Sequence, residues 1–594
     1  MKLARAFTWL VIAAHASLLV WSFPDYFADN DLGCHISLAR QYGEHGSYFW
    51  DQLNYGPTGR PNLQGPLLHY GVGLLGRALG GGGDDYVHAF TVFAILQWAA
   101  AVFTAVFFAR KYGGDLAGLF AAALLTGGIY SAGPFFVGVP SGWIFILSAW
   151  AVFFFLEGKL WLSALAAAAA VYVHLGGITT APFGILLAAL VTRRWRALVK
   201  VGAGIALLAS PYLFHFVRSL DYWVGRRGHV AGSANLLLYA LAVPAVIWLL
   251  RRPRENAMLL CWAAAPLAWF FQDRLRFFLQ SSAAGAAAAG VFAAWLLGRY
   301  AGPRARAGLS AALVLLATVF PLSIPSFPVE LLWASGRGFP RELDWKEAKI
   351  LAGIVRDERL DKRLLWSYFP SLGCAVAVYT PVSQEGGHWN EVRPRVNPAA
   401  EMSAGEKVYL LPMPPGDDIL VQYRIYGLIR IHGGTAQTSV VTLTQPGRLD
   451  LAAPLAAEVL RREALWLADN AVNNTMPPLR TVLDPARLEE WRARMWRQRV
   501  RAGRMSLAVL AYAHALERLD PETARGARNA ARDFGTLANF LGDETAIDYI
   551  SEQRFQRLRE NLRTVAQHAP VLRRQTLPSP ELSDAVERLF REYF

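Results

Sequence analysis

Cysteine is scarce: Cys34, Cys261 and Cys374 are the only three, and no two are spaced as zinc ligands. A cysteine-ligated metal and a disulfide-dense scaffold are thereby excluded. Cys261 lies in an apolar run. A Cys34–Cys374 disulfide would need both residues in an oxidising compartment, which spacing alone does not establish. Charge is also sparse, at 18% of residues against 54% hydrophobic. No glycine-rich nucleotide loop is present, so a nucleotide cofactor and a nucleotide-sugar donor have no support. No long internal repeat occurs. Long hydrophobic runs are lacking after about residue 325, although they follow one another before it. That asymmetry excludes two ordinary soluble domains and fits a polytopic membrane protein with one large aqueous part.

The net charge of +14 is read first as topology, and no nucleic-acid partner is expected. Lys2 and Arg5 precede an apolar stretch from Phe7 to Phe23. Ala14-His15-Ala16 weakly resembles a signal-peptidase site, but the apolar run continues past it, so an uncleaved first span is expected. About eleven spans follow from hydropathy and charge. They are Phe7–Phe23, Tyr86–Ala109, Leu116–Ala132, Trp143–Leu156, Leu160–Val173, Gly177–Val191, Ala197–Val217, Leu236–Leu250, Ala257–Phe271, Phe277–Leu297 and Leu309–Ile324. The pair around Gly176-Gly177 could equally be one broken helix. Gly65–Leu79 is ambiguous, and charge decides it. With that segment kept at the outer interface, the inner ends collect Lys2, Arg5, Arg110, Lys111, Lys159, Arg193, Arg194, Arg251 and Arg252, as the positive-inside rule requires. The N-terminus is then cytoplasmic, and everything after about residue 326 lies outside.

Arginines reappear in three outer loops. Arg40, Arg60 and Arg77 accompany Asp25, Asp29, Asp31, Glu44 and Asp51 in the first; Arg218, Arg226 and Arg227 lie in a later one; Gln272-Asp273-Arg274-Leu275-Arg276 forms the third. Guanidinium binds phosphate bidentately and stays charged, so the set suits a phosphate-bearing ligand. Interfacial anchoring to anionic lipid is the alternative for any single loop. Just after the first span, Asp31 and His35 stand four residues apart, which stacks them on one helical face. An ionisable pair at a membrane surface is a candidate functional site.

The run Asp31-Leu32-Gly33-Cys34-His35-Ile36-Ser37-Leu38-Ala39-Arg40 resembles the first loop of the GT-C membrane glycosyltransferases, most closely the catalytic subunits of oligosaccharyltransferases. Those carry an Asp after the first helix, then His and Leu-x-Leu-Ala-Arg. The resemblance continues through Trp50–Arg60 and Gly65-Pro66-Leu67-Leu68-His69. It implies that Asp31 is the catalytic carboxylate, with a tentative role in holding a divalent metal, Mg or Mn. It further implies a donor or substrate role for His35, Arg40, Asp51 and Tyr55, and donor-phosphate contacts from Arg274 and Arg276; His174, near the outer end of a span, is a further candidate by its position. His35 could bond Asp31, ligate metal or contact phosphate; it could also be a packing residue satisfied by backbone. Two features depart from the family. The next outer loop, Gly133–Gly142, has no carboxylate where the family has a second acidic motif. The family's Trp-Trp-Asp-Tyr-Gly is met only by Trp366-Ser367-Tyr368-Phe369-Pro370.

The implied function is transfer of a sugar or glycan from a polyprenyl-(pyro)phosphate donor to an acceptor protein or glycan, in a prokaryotic inner membrane. The implied mechanism is inverting. The alternative is a non-catalytic protein of the same fold that binds or translocates lipid-linked glycan. The expected organisation is a GT-C-like transmembrane domain over 1–326, containing a first outer loop at 24–85. An outer α/β domain follows over 327–450 and an outer helical domain over 451–594. Within the outer part, Glu342–Glu358 reads as an amphipathic helix, and Leu364–Tyr368, Val408–Leu411 and Val440–Leu443 as strands. Ser383–Glu391 reads as a polar, Gly-bent loop, with His388 and Trp389 as acceptor-side candidates, or as a plain surface turn.

Overall fold

The computed structural model describes residues 2–22, 32–127, 139–223, 234–270, 274–318, 323–324, 345–385, 398–444, 446–470 and 485–540. The chain divides into two bodies. A helical body comprises Met1–Phe27, Ala39–Phe49 and Asn62–Gly338; an α/β body comprises Ala28–Leu38, Trp50–Pro61 and Phe339–Phe594. Two stretches of the first loop therefore belong with the C-terminal part of the chain.

In chain order the first elements are α1 (Lys2–Ser22), α2 (Leu32–His45), β1 (Trp50–Asp51), β2 (Arg60–Pro61), α3 (Pro66–Leu79) and α4 (Gly83–Thr126). There follow α5 (Ser141–Leu156), α6 (Leu160–Val173), α7 (Gly177–Thr192), α8 (Trp195–Arg218), β3 (Ala234–Asn235), α9 (Leu236–Leu249), α10 (Ala257–Ala264), α11 (Leu267–Phe270), α12 (Arg274–Tyr300), α13 (Pro303–Thr318) and β4 (Ser323–Ile324). Each segment expected to span contains described helix, although the last, Leu309–Ile324, ends on β4. By length and composition, three described helices can cross a membrane: Gly83–Thr126, Trp195–Arg218 and Ser281–Tyr300. The other apolar helices are shorter, at 10–17 residues.

The 44-residue α4 holds two expected spans. Gly114 interrupts it at φ 79°, ψ −172°, a conformation only glycine adopts without strain, so the chain turns back there. The stretch around Gly176 resolves into two helices, α6 and α7, parted at His174–Gly176. The 14-residue α3 would be about 21 Å long, short of a bilayer core of about 30 Å. The core of this body is alanine and glycine set against aromatics. Ala283, Ala284, Ala286, Ala287, Ala288 and Ala289 on α12 are all buried.

The α/β body continues with α14 (Trp345–Asp357), β5 (Leu364–Ser367), α15 (Pro370–Tyr379), α16 (Pro398–Glu401), β6 (Lys407–Leu411), α17 (Asp418–Ile425), β7 (Ile429–Gly434), β8 (Ser439–Leu443), α18 (Leu449–Asn470), α19 (Pro485–Leu516) and α20 (Pro521–Phe540). Its sheet has the order β5-β6-β8-β7; β5 and β6 are parallel, and the other pairs antiparallel. Ala348, Leu351, Ala352 and Val355 recur on one face of α14, and that face is the buried one. The three expected strands are present. β7 is a strand that was not expected: Ile429-Arg430-Ile431-His432 alternate apolar and polar over four residues, and the strand then ends in Gly433-Gly434 with a bulge. Residues on both sides of position 450, from Ala348 to Ala538, contribute to one hydrophobic core.

Candidate functional site

The first turns of α2 are built into the α/β body. Gly33 meets α15 so closely that a β-carbon there would stand 2.6 Å from the Ser371 carbonyl oxygen and 2.8 Å from the Ala375 nitrogen. Glycine is therefore required for the two helices to touch. That contact brings Cys34 to Cys374, 340 positions later, and the pair forms a disulfide with 4.8 Å between α-carbons. His35, next to it, is buried at 3% exposure.

Beside the disulfide lies a polar cluster. Ser37 Oγ donates to Asn54 Oδ1 at 3.0 Å, and Gln384 Nε2 donates to the same oxygen at 2.8 Å and to Cys374 Sγ at 2.9 Å. Asn54 donates through its backbone N–H and its Nδ2 to the Asp51 carboxylate, each at 3.0 Å. The backbone completes the clamp: Gln384 N donates to Leu53 O and Gly56 N to Gln384 O, both at 2.8 Å. Asp51 is 1% exposed, so its carboxylate holds the 51–54 turn from within the protein. Tyr55 is stacked under the Arg60 guanidinium, whose carbon lies 3.0 Å from the ring centroid. Asp51, Tyr55 and His35 are therefore all enclosed in this body, and the first two serve the loop's own structure.

The next residue toward β6 extends the cluster. Glu385 and Lys407 form an ion pair at 2.7 Å with both side chains buried, and Arg532 also bonds Glu385. Burial alone would raise the Glu385 carboxyl, but the charges of Arg532 and Lys407 overcome it and hold the group below its usual range. Burial lowers Lys407, and its bond to Glu385 offsets only part of that. Glu517 anchors a second node. It accepts from Ser403 Oγ at 2.5 Å and from the Ala404 N–H at 2.6 Å, and it pairs with His514 and Arg528 at 3.0 Å each. Burial pushes the Glu517 carboxyl up, yet the bonds from His514, Ala404 and Ser403 bring it down to about 2.

In the helical body, Arg40 Nε donates to Glu44 at 2.6 Å within one turn of α2. Asn62 Nδ2 donates to the Tyr48 carbonyl at 2.8 Å and to the Tyr42 hydroxyl at 3.2 Å, and His215 Nε2 lies 2.9 Å from the Asn62 carbonyl. Tyr212 donates to the Leu63 carbonyl at 2.6 Å. His69 stacks on Tyr42 at 6.2 Å. This sub-cluster of the first loop was not singled out from sequence, because Asn62, Tyr212 and His215 lie about 150 positions apart and carry no shared motif. His174 ends α6 in an extended conformation, and its Nδ1 accepts from Gly176 N at 2.9 Å. It therefore fixes the α6–α7 break. Arg274 and Arg276 stand in the first turn of α12.

Asp31, Asp273, His388 and Trp389 lie outside the described residues. Among the described residues, no three of His, Cys, Asp and Glu gather as a metal ion would need. His35 and Asp51 thus do not by themselves make a donor set.

Neither a protein-family model nor a curated protein matches the sequence. Several solved structures are similar to it over part of its length. The oligosaccharyltransferase of Archaeoglobus fulgidus in the apo form is 11% identical, with a TM-score of 0.46 over 65% of this chain and 65% of that one. ArnT from Cupriavidus metallidurans, bound to undecaprenyl phosphate, is 14% identical, with a TM-score of 0.48 over 73% of this chain and 97% of that one. The mycobacterial arabinofuranosyltransferase AftD is 14% identical, with a TM-score of 0.47 over 73% of this chain and 40% of that one. The chain thus spans just under two thirds of the archaeal enzyme's length.

Proposed function

We propose that this protein transfers a sugar or glycan from a polyprenyl-(pyro)phosphate donor to an acceptor protein or glycan at the outer face of a prokaryotic inner membrane. The observation that carries the reading is the ordered run Asp31-x3-His35-x2-Leu38-Ala39-Arg40 directly after one apolar helix. Its first turns are bound covalently to a C-terminal body rich in buried polar contacts. The disulfide supports the outward orientation. Cys34 and Cys374 must share one side of the membrane, and a persistent disulfide belongs to an oxidising compartment. One span precedes Cys34, so the N-terminus falls on the cytoplasmic side, in agreement with Lys2 and Arg5.

In this reading Asp31 takes the proton of the acceptor as it attacks the anomeric carbon. The new bond forms on the face opposite the breaking sugar–phosphate bond, so the anomeric centre inverts. The donor leaves as polyprenyl-(pyro)phosphate, and Arg274 and Arg276 offset its charge. A divalent metal would add Lewis-acid stabilisation of that phosphate, with Asp31 as its one candidate ligand. The enclosed His35 and Asp51 would then support the loop rather than touch the reacting atoms.

Asp31→Ala in the full-length protein should lower transfer by about 10²- to 10⁴-fold, with membrane insertion unchanged. The assay is reconstitution with extracted lipid-linked donor. Near-normal turnover would remove the assignment. The non-catalytic alternative is favoured by one feature, the carboxylate-free loop Gly133–Gly142. Under it the wild type binds lipid-linked glycan without transferring it, and Asp31→Ala changes affinity at most.

A further inference from the structure

A second site lies in the helical body, away from the first loop. Between α1 and the first leg of α4 runs a groove of about 800 Å³. Its walls are apolar, with Trp9 and Ile12 from α1 and Ala99 and Phe103 from α4. Trp9 and Phe103 are 60% and 55% exposed, respectively. One end is charged. There Asp115 accepts Arg5 at 2.8 Å and Arg110 at 3.0 Å, and Lys111 bonds Glu157 at 2.9 Å. Three cations face two carboxylates, which leaves one net positive charge at the mouth.

The gradient is ordered along the groove. Arg5 and Arg110–Asp115 share the end that carries the N-terminus, where Gly114 turns the chain. Eleven positions separate Ala99 from Arg110, about 16 Å at helical rise, which is close to half of a bilayer core of about 30 Å. A greasy channel one leaflet deep, capped by excess positive charge, matches one kind of molecule.

We propose that this groove is a binding site for an anionic glycerophospholipid of the leaflet on the N-terminal side. Its phosphate sits against Arg5, Arg110 and Lys111, and an acyl chain lies along Trp9, Ile12 and Phe103. The membrane's own lipid is the occupant, because free phosphate gains nothing from the apolar walls.

The test is native mass spectrometry of the full-length protein in detergent, with phosphatidylglycerol and phosphatidylcholine in equal amounts. One phosphatidylglycerol should be retained about fivefold over phosphatidylcholine, as expected for about one net charge at a membrane surface. Arg5→Gln with Lys111→Gln spares the Arg110–Asp115 pair and turns the cluster net negative, so the preference should fall to one or below. Ala99→Trp fills the channel without touching the charges and should remove the retained lipid. Millimolar inorganic phosphate should not displace it. Equal retention of the two lipids by the wild type would overturn the proposal. So would an unchanged preference in the double variant, full retention in Ala99→Trp, or displacement by phosphate. Unfolding temperatures of the variants, measured alongside, separate lost binding from lost fold.

Discussion

The two bodies are held together by opposite means. In the helical body, backbones approach each other over glycine and alanine. A β-carbon on Gly290 of α12 would lie 2.5 Å from the Ala117 carbonyl oxygen and 2.9 Å from the Ala121 nitrogen of α4. The α/β body instead buries charge. Glu385 and Lys407 are 4% and 5% exposed, and Glu463 is fully enclosed with Arg501 at 2.6 Å and Arg504 at 3.2 Å. A helix surrounded by lipid gains little from hiding apolar side chains, so close van der Waals packing of small residues has to hold it. A body in water gains from apolar burial and then tolerates enclosed charges only when they are paired. The contrast is the one expected if the helical body packs in lipid and the α/β body in water.

The contrast would break most visibly at the disulfide. Cys34→Ser or Cys374→Ser should cost the α/β body about 2–5 kcal/mol, and a reductant should reproduce the loss in the wild type. Thermal unfolding followed by tryptophan fluorescence, with and without reductant, measures it. A helical body that responded equally to reductant would contradict the division.

Acid should come next. Glu517 sits at about 2 when folded, against an ordinary value of 4.5. A depressed carboxyl contributes stability that is complete above its unfolded pKa and is lost as pH falls through the folded one. The window is therefore pH 4.5 down to about 2, and the effect is on the order of 3 kcal/mol. Unfolding midpoints in that window should fall in the wild type and stay flatter in Glu517→Gln. Parallel slopes for the two proteins would refute the assignment.

Gly290→Ala sharpens the comparison from the other side. Overpacking costs about 1–3 kcal/mol, and replacing a helical glycine returns roughly 0.5–1 kcal/mol. A net loss of about 1–2 kcal/mol is expected, independent of reductant and of pH between 2 and 5. A gain in stability would show that α4 and α12 have room to part.

Much of the helical body was legible from local chemistry. Hydrophobic runs located its helices, because each helix is made by residues adjacent in sequence. The gap between the spans Tyr86–Ala109 and Leu116–Ala132 and the stretch at Gly176 are real breaks, but only φ and ψ show that Gly114 makes the first of them. The α/β body was legible only in part. α14 and three strands followed from periodicity, but β7 did not, since its alternation over Ile429–His432 is short and runs straight into Gly433-Gly434. The Asp51 carboxylate accepts from Asn54 and the Tyr55 ring lies under Arg60, contacts that the loop's sequence does not record. Sequence cannot distinguish a polar residue that faces a ligand from one that braces a turn.

Order along the chain alone establishes the apolar segments, the charge bias between their ends and the Asp31–His35 register. Each depends on neighbours a few positions apart. The join between Cys34 and Cys374, the Gln384–Asn54–Ser37 cluster and the Glu385–Lys407–Arg532 node emerge only on folding. Their members are separated by tens to hundreds of residues. What pairs them is the shared exclusion of water, and no local pattern records it.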